Sequence, residues 1–277
     1  MSVTLGRIGI WRAAAAVTDE LAVELDRLGF ATLSLGGSPT GDLRQVESIL
    51  DKTERLTVAT SIVNIWQVPA AEAAASYHRI AARHPDRFLL GIGIGHPEAT
   101  SDYRRPYATI VDYLDELDAE GVPVEGRALA ALGPKVLQLA ADRTAGALPY
   151  LTTPEHTKQA REIVGPDKLL AVEHKVVVET DPQRARAIGR PPVAFPYLKL
   201  SNYINNLRRL GFTDEEIADD GNDRLIDALV AWGDADAIAA RVTEHFDAGA
   251  DHVSLQVLTA EGADPLPAFR TLADRLL

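Results

Sequence analysis

The sequence predicts an α/β fold, a (β/α)8 TIM barrel with a helical insertion between its seventh and eighth strands. Three observations carry that expectation. Short apolar segments of strand character alternate with helical segments eight times along the chain. No Ser-, Gly- or Pro-rich linker interrupts the alternation, so residues 1–277 are expected to form one barrel domain. The length of 277 residues suits such a barrel, whereas a doubly wound sheet would leave the last units as a separate domain.

The elements follow in order. GRIGIW (6–11) is the first strand. Thr18 or Asp19 caps a helix that runs to Leu28 and stops at Gly29. ATLSL (31–35) is the second strand, a helix near 41–53 follows, and LTVATSIVN (56–64) is the third strand. Pro69 fits the first turn of the next helix, which ends near Arg83, before Pro85. RFLLGIGIG (87–95) is the fourth strand, because Gly91, Gly93 and Gly95 recur with the strand period of two. It is not a dinucleotide fingerprint: the sixth position from Gly91 is His96, and from Gly93 it is Glu98. Phe88, Leu90, Ile92 and Ile94 share one face, and the glycines leave the other bare. Such a face marks tight packing, or the approach of a ligand or another backbone.

An amphipathic helix over 104–121 leads to the fifth strand, RALAALG (127–133), and a helix over 134–143. GALPYL (146–151) is the sixth strand, followed by a helix from Pro154 to Val164, and KLLAVEHKVVVET (168–180) is the seventh. A long helical region spans 182–231, and residues 231–250 lead into the eighth strand, DHVSLQVL (251–258). A helix from Pro265 closes the chain. The connection between the last two strands far exceeds the usual ~2–6 residues plus a helix, and insertions there tend to cover the barrel mouth.

Composition narrows the function. A formal charge of -12 repels phosphate backbones, so nucleic acid is not an expected partner. The absence of cysteine excludes thiolate catalysis, disulfides and cysteine-ligated metals. No apolar run approaches the ~18 residues of a spanning helix and no signal peptide is visible, so a cytoplasmic protein is expected. No histidine pair has metal-ligand spacing with a carboxylate nearby, so no metal is expected. No G-x-S-x-G is present, and Glu179 and Asp181 are the only strand-end carboxylates, which argues against hydrolases and glycosidases.

Barrel active sites lie at the C-terminal ends of the strands. His96 follows the fourth strand, where it can move a proton near neutral pH or simply stand at the surface before Pro97. Asn64 and Trp66 end the third strand, where an amide and an indole can grip a flat ring or merely pack. Gly133-Pro134-Lys135 opens a helix: free amides, the helix dipole and a lysine suit a phosphate, although Gly-Pro is also an ordinary helix start. Thr152 and Thr153 precede Pro154, and Thr153 is a good N-cap. Asn202, Tyr203, Asn205 and Asn206 cluster in the insertion, as ligand contacts or as caps of an irregular helix. Trp11, Trp66 and Tyr203 are the candidates for substrate contact.

Taken together, HPDRFLLGIGIGHP, LTVATSIVNIW, YLDELDAEGVP, ALAALGPKVLQLAADRTAGALPYLTTPEHT and NYINNLRRLGF have a characteristic order and spacing. On them the chain resembles the luciferase-like monooxygenases, within the deazaflavin (coenzyme F420)-dependent branch of actinobacterial type, over nearly its whole length. The resemblance implies a flavin-like cofactor at the barrel mouth. It implies a bulge with a non-prolyl cis peptide at Ser61-Ile62 backing the ring, Asn64 at its polar edge, and Gly95 and His96 beside it. Ala131, Leu132, Gly133 and Lys135, with Thr152 and Thr153, match the segments that hold the phosphate side. In that setting the bare glycine face leaves room near the cofactor. There is one departure. Many deazaflavin relatives end the second strand with an Asp-His pair, and here that place reads LSLGGSP (33–39). His96 is then the candidate catalytic residue. The implied activity is hydride transfer between coenzyme F420 and a small organic substrate. The alternatives are an FMN-dependent monooxygenase and a non-catalytic cofactor-binding barrel. A homodimer is also implied, and residues 70–75 offer a small-residue helix face for close packing.

Overall fold

The computed structural model describes residues 3–96 and 105–277. In chain order the elements are β1 (Ile8–Ala13), α1 (Asp19–Leu28), β2 (Thr32–Gly36), α2 (Arg44–Lys52), β3 (Thr57–Thr60), β4 (Val63–Asn64), α3 (Ala70–Arg83), β5 (Phe88–Gly93) and α4 (Pro106–Ala119). They continue with β6 (Arg127–Leu129), α5 (Pro134–Arg143), β7 (Gly146–Ala147), α6 (Pro154–Val164), β8 (Leu169–Val178), α7 (Pro182–Ala194), α8 (Ser201–Arg209), α9 (Asp214–Ile217) and α10 (Asp223–Leu229). The last are β9 (Val230–Gly233), α11 (Ala235–Asp247), β10 (His252–Val257) and α12 (Leu266–Leu276). The expected start of the fourth helix at Arg104, and Pro97 after His96, lie outside the described residues.

Parallel strands β1, β2, β3, β5, β6, β7 and β8 pair in succession, and β10 pairs with both β1 and β8, which closes an eight-stranded barrel. Local chemistry sets the helix ends. The Thr18 side chain accepts the Leu21 N–H at the start of α1, and Gly29 ends it at φ 95°. Thr153 accepts the His156 N–H in the same way at the start of α6. One large apolar cluster lies between the strands and the helix ring. A smaller one, including Ala59, Leu89, Ala128, Leu148 and Ala171, comes from alternate strand positions and fills the bore. A third, built on Leu198, Leu207, Phe212 and Leu225, joins the insertion to Val177 of β8 and Val230 of β9.

The structure corrects three expectations. First, the region 182–231 is not helical to its end, because Val230–Gly233 is a strand paired with Lys175–Val178 of β8. Val230-Ala231-Trp232 is a short apolar run whose period cannot separate strand from helix. Second, the bare glycine face does not open onto a cavity along its length. A Cβ on Gly91 would lie 1.9 Å from the Thr60 carbonyl oxygen, and one on Gly93 would lie 2.8 Å from Ile62. The glycines admit the neighbouring chain where β3 gives way to β4. Third, the small residues of 70–75 do not form one free face: Ala70, Ala73 and Ala74 are buried in this chain's own core, and Ala71 and Ala75 stay exposed. No helix among the described residues is long and apolar enough to cross a membrane.

Candidate active site

A cavity of about 440 Å³ opens at the C-terminal mouth of the barrel, within the size range of small-molecule sites. Its floor is built around Trp11. Gly36 on the adjacent β2 makes the seat, since a Cβ there would fall 1.8 Å from the indole. The Trp11 Nε1–H donates to Ser61 Oγ at 3.2 Å. Ser61 and Ile62 lie between β3 and β4, and the peptide joining them is cis, as the resemblance implies. Pairing resumes at Val63 and Asn64 against Ile92 and Gly93. Asn64 Oδ1 accepts the Trp66 N–H at 3.0 Å, and Trp66 Nε1–H donates to the Ile94 carbonyl at 2.8 Å. Trp66 thus staples this loop to the end of β5 and does not line the cavity. Gly95 does, at φ +63°, and a Cβ there would lie 2.9 Å from Asn64 Nδ2.

The opposite wall comes from the ends of β6 and from the insertion. Ala131, Leu132 and Gly133 line it, and Gly133 opens α5 with no side-chain cap. Arg209 Nη2 stands 3.9 Å from where a Gly133 Cβ would be, and donates to Asn206 Oδ1 at 3.0 Å. Asn206 Nδ2 and Asn202 Oδ1 are buried with no partner among the described residues. Helix amides, a guanidinium and unspent amide groups together fit an anionic, hydrogen-bonding ligand group. Lys135 is exposed on the first turn of α5, outside the lining. Thr152 and Thr153 lie buried behind the wall rather than on it, and Thr152 Oγ1 has no partner among the described residues. The structure therefore brings Trp11, Ser61, Ile62, Asn64, Gly95 and His96 together with residues 131–133 and Tyr203. It leaves Trp66, Lys135, Thr152 and Thr153 off the surface.

Residues missed in the sequence complete the site. An arc of rings crosses it: His96 to Tyr203 (5.6 Å between centroids), Tyr203 to Tyr197 (4.9 Å), Tyr197 to Tyr150 (5.2 Å) and Tyr150 to Trp11 (5.2 Å). Behind Tyr150 lies Lys175 of β8, fully buried and paired with buried Glu173 at 3.2 Å. Glu173 and His174 face opposite ways, as strand alternation requires: Glu173 Oε2 accepts the Leu151 N–H, and His174 meets His245. The same alternation puts Glu173 and Lys175 on one face. Two opposite charges two residues apart inside an apolar strand were the signal that could have found them. Burial pushes the Glu173 carboxyl up and the Lys175 ammonium down, each against the pull of the other. Among the described residues no His, Asp or Glu cluster could hold a metal ion.

No protein-family model and no curated protein matches the sequence. Solved structures do match in fold. One is an F420-dependent secondary alcohol dehydrogenase in complex with an F420–acetone adduct, with TM-score 0.74 and 13% identity over 99% of this chain and 98% of that one. Another is the coenzyme F420-dependent tetrahydromethanopterin reductase from Methanopyrus kandleri, with TM-score 0.76 and 15% identity over 98% of each chain. A third is the oxygenating constituent of 3,6-diketocamphane monooxygenase from Pseudomonas putida in complex with FMN. It gives TM-score 0.68 and 14% identity over 98% of this chain and 96% of that one. The barrel fold is common to all of them.

Proposed function

We propose that the chain is a luciferase-like oxidoreductase that binds coenzyme F420 in the mouth cavity and transfers a hydride between it and a small organic substrate in the cytoplasm. The observation that carries this reading is convergence. Residues far apart in sequence, assigned to the cofactor by the resemblance, meet on one cavity: Ser61, Ile62, Asn64, Gly95 and the 131–133 turn. Trp11 and Ile62 offer an apolar floor for a flat ring, and the α5 end with Arg209 suits the anionic tail. When bound, the deazaflavin supplies a two-electron hydride couple; the chain's own residues bind it, shield it and handle the proton. FMN is the competing cofactor, because the same fold holds FMN in one of the matched structures.

Fluorescence titration of the purified protein with coenzyme F420 and, separately, FMN tests the reading. Saturable binding of coenzyme F420 with none of FMN is expected. Binding of FMN alone moves the protein to the monooxygenase reading. Binding of neither overturns the proposal.

A further inference from the structure

A hydrogen-bond chain that begins at a buried charge ends in the cavity. Lys175 Nζ directs its protons to Tyr150 Oη (2.8 Å), Gln256 Oε1 (3.0 Å) and Glu173 Oε1 (3.2 Å). The Tyr150 hydroxyl is saturated as well: it donates to Gln256 Oε1 at 2.8 Å and accepts from Lys175 and, at 3.1 Å, from Tyr197. The Tyr197 hydroxyl makes that single bond among the described residues, so both its lone pairs are unspent, and its side chain lines the cavity. Four separate stretches supply these groups: β8, the loop after β7, the turn before α8, and β10. A buried lysine and carboxylate are commonly no more stable than an apolar pair of the same volume, so stability alone does not account for this one.

We infer that Tyr197, Tyr150 and Lys175 form a proton relay serving an oxygen atom of the substrate, with Tyr197 the catalytic residue and Tyr150 and Lys175 positioned behind it. The inference rests on the oxidoreductase reading and narrows the substrate to a carbonyl–alcohol pair. In reduction, the carbonyl carbon receives a hydride from the reduced cofactor, a flavin-type two-electron donor, and the C=O π bond breaks toward oxygen. That oxygen takes the Tyr197 proton. Tyr197 recovers a proton from Tyr150, and Tyr150 from the Lys175 ammonium. After the alcohol leaves, a proton from water in the cavity returns through Tyr197 and Tyr150 to the neutral amine. One hydride and one proton are added, and the cofactor is oxidised by two electrons. The only rearrangement needed is rotation of the two hydroxyls about their C–O bonds.

Burial pushes the Tyr150 hydroxyl well above its ordinary value and the Tyr197 hydroxyl up to about 12, so both are protonated donors near neutrality. Burial also lowers the Lys175 ammonium, which makes it readier than a surface lysine to give up a proton, although Glu173 opposes this. The groups facing Lys175 are Glu173 on its own strand, Tyr150, Tyr197 and the neutral Gln256.

A proton-reporting ligand tests the relay without turnover. 4-Nitrophenol, whose phenolate absorbs in the visible, is titrated with pH on the purified protein without added cofactor. The relay should stabilise the bound phenolate, lowering its titration midpoint by about one pH unit or more relative to Tyr197→Phe. The Lys175→Met/Glu173→Gln double variant should lose the same shift. It removes both charges together, so no unpaired charge is left buried, and circular dichroism checks its fold. Equal midpoints in wild type and variants, or a probe that does not bind, overturn the relay. The two readings fail separately. A shift without binding of coenzyme F420 or FMN removes the oxidoreductase reading, and cofactor binding without a shift removes the relay.

Discussion

His96 stands at the end of β5, with its ring 5.6 Å from that of Tyr203, on the cavity wall. With no acid–histidine pair after β2, we propose His96 as a second acid–base group of the cavity, beside Tyr197. His96→Ala should keep cofactor affinity within about tenfold and lose roughly 10²–10⁴ in turnover, the usual worth of an acid–base group. Loss of affinity alone would make it a binding residue. Other histidines act on stability. Burial lowers His245 to about 3 and His252 to about 4, and holds His174 well below its ordinary value. A histidine whose folded pKa is depressed is neutral in the fold, while the unfolded chain takes up its proton below ~6.5. Stability is then fully present above pH 6.5 and is lost as pH falls toward 4. At pH 5 each such residue costs about 2 kcal/mol. Urea unfolding at pH 7 and pH 5 should show this loss, and His252→Asn should flatten the slope. An unchanged midpoint between the two pH values would refute it.

At the scale of elements, we propose that the start of α5 is the anion-binding end of the cavity. Gly133 and Lys135 supply the backbone N–H groups there, since Pro134 has none, and Arg209 reaches over from α8. Arg209→Ala should weaken coenzyme F420 by ~1–3 kcal/mol, the scale of a charge-assisted hydrogen bond. Lys135→Ala should shift it much less, because that side chain is exposed on the first turn of α5, whereas Arg209 Nη2 stands beside Gly133 and bonds Asn206. Isothermal titration of both variants checks the order. Periodicity and caps made the eight barrel strands and their helices legible in the sequence, because each burial pattern has its own period. Two things were not legible. The glycines of β5 showed that something comes close, but only the structure shows it to be the Thr60 carbonyl and Ile62. The relay was hidden because it joins Tyr150, Lys175, Tyr197 and Gln256 across a span of 106 residues, and spacing along one element cannot reveal such contacts.

At the scale of the whole molecule, assembly follows from which faces remain. Ala70, Ala73 and Ala74 are buried on the barrel, so within residues 70–75 it is Ala71, Glu72 and Ala75 that stay exposed to a second copy. We propose a homodimer, and light scattering at micromolar concentration should give twice the 29.9 kDa chain mass. A monomer mass would remove the idea. The central claim is that the mouth of this barrel is a cofactor site, and a crystal structure grown with saturating coenzyme F420 tests it most directly. The deazaflavin ring should lie between Ile62 and the Tyr197–Tyr203 wall, with its phosphate tail running toward Gly133 and Arg209. Coenzyme bound elsewhere on the surface, or a cavity that stays empty of it at saturation, would contradict the account.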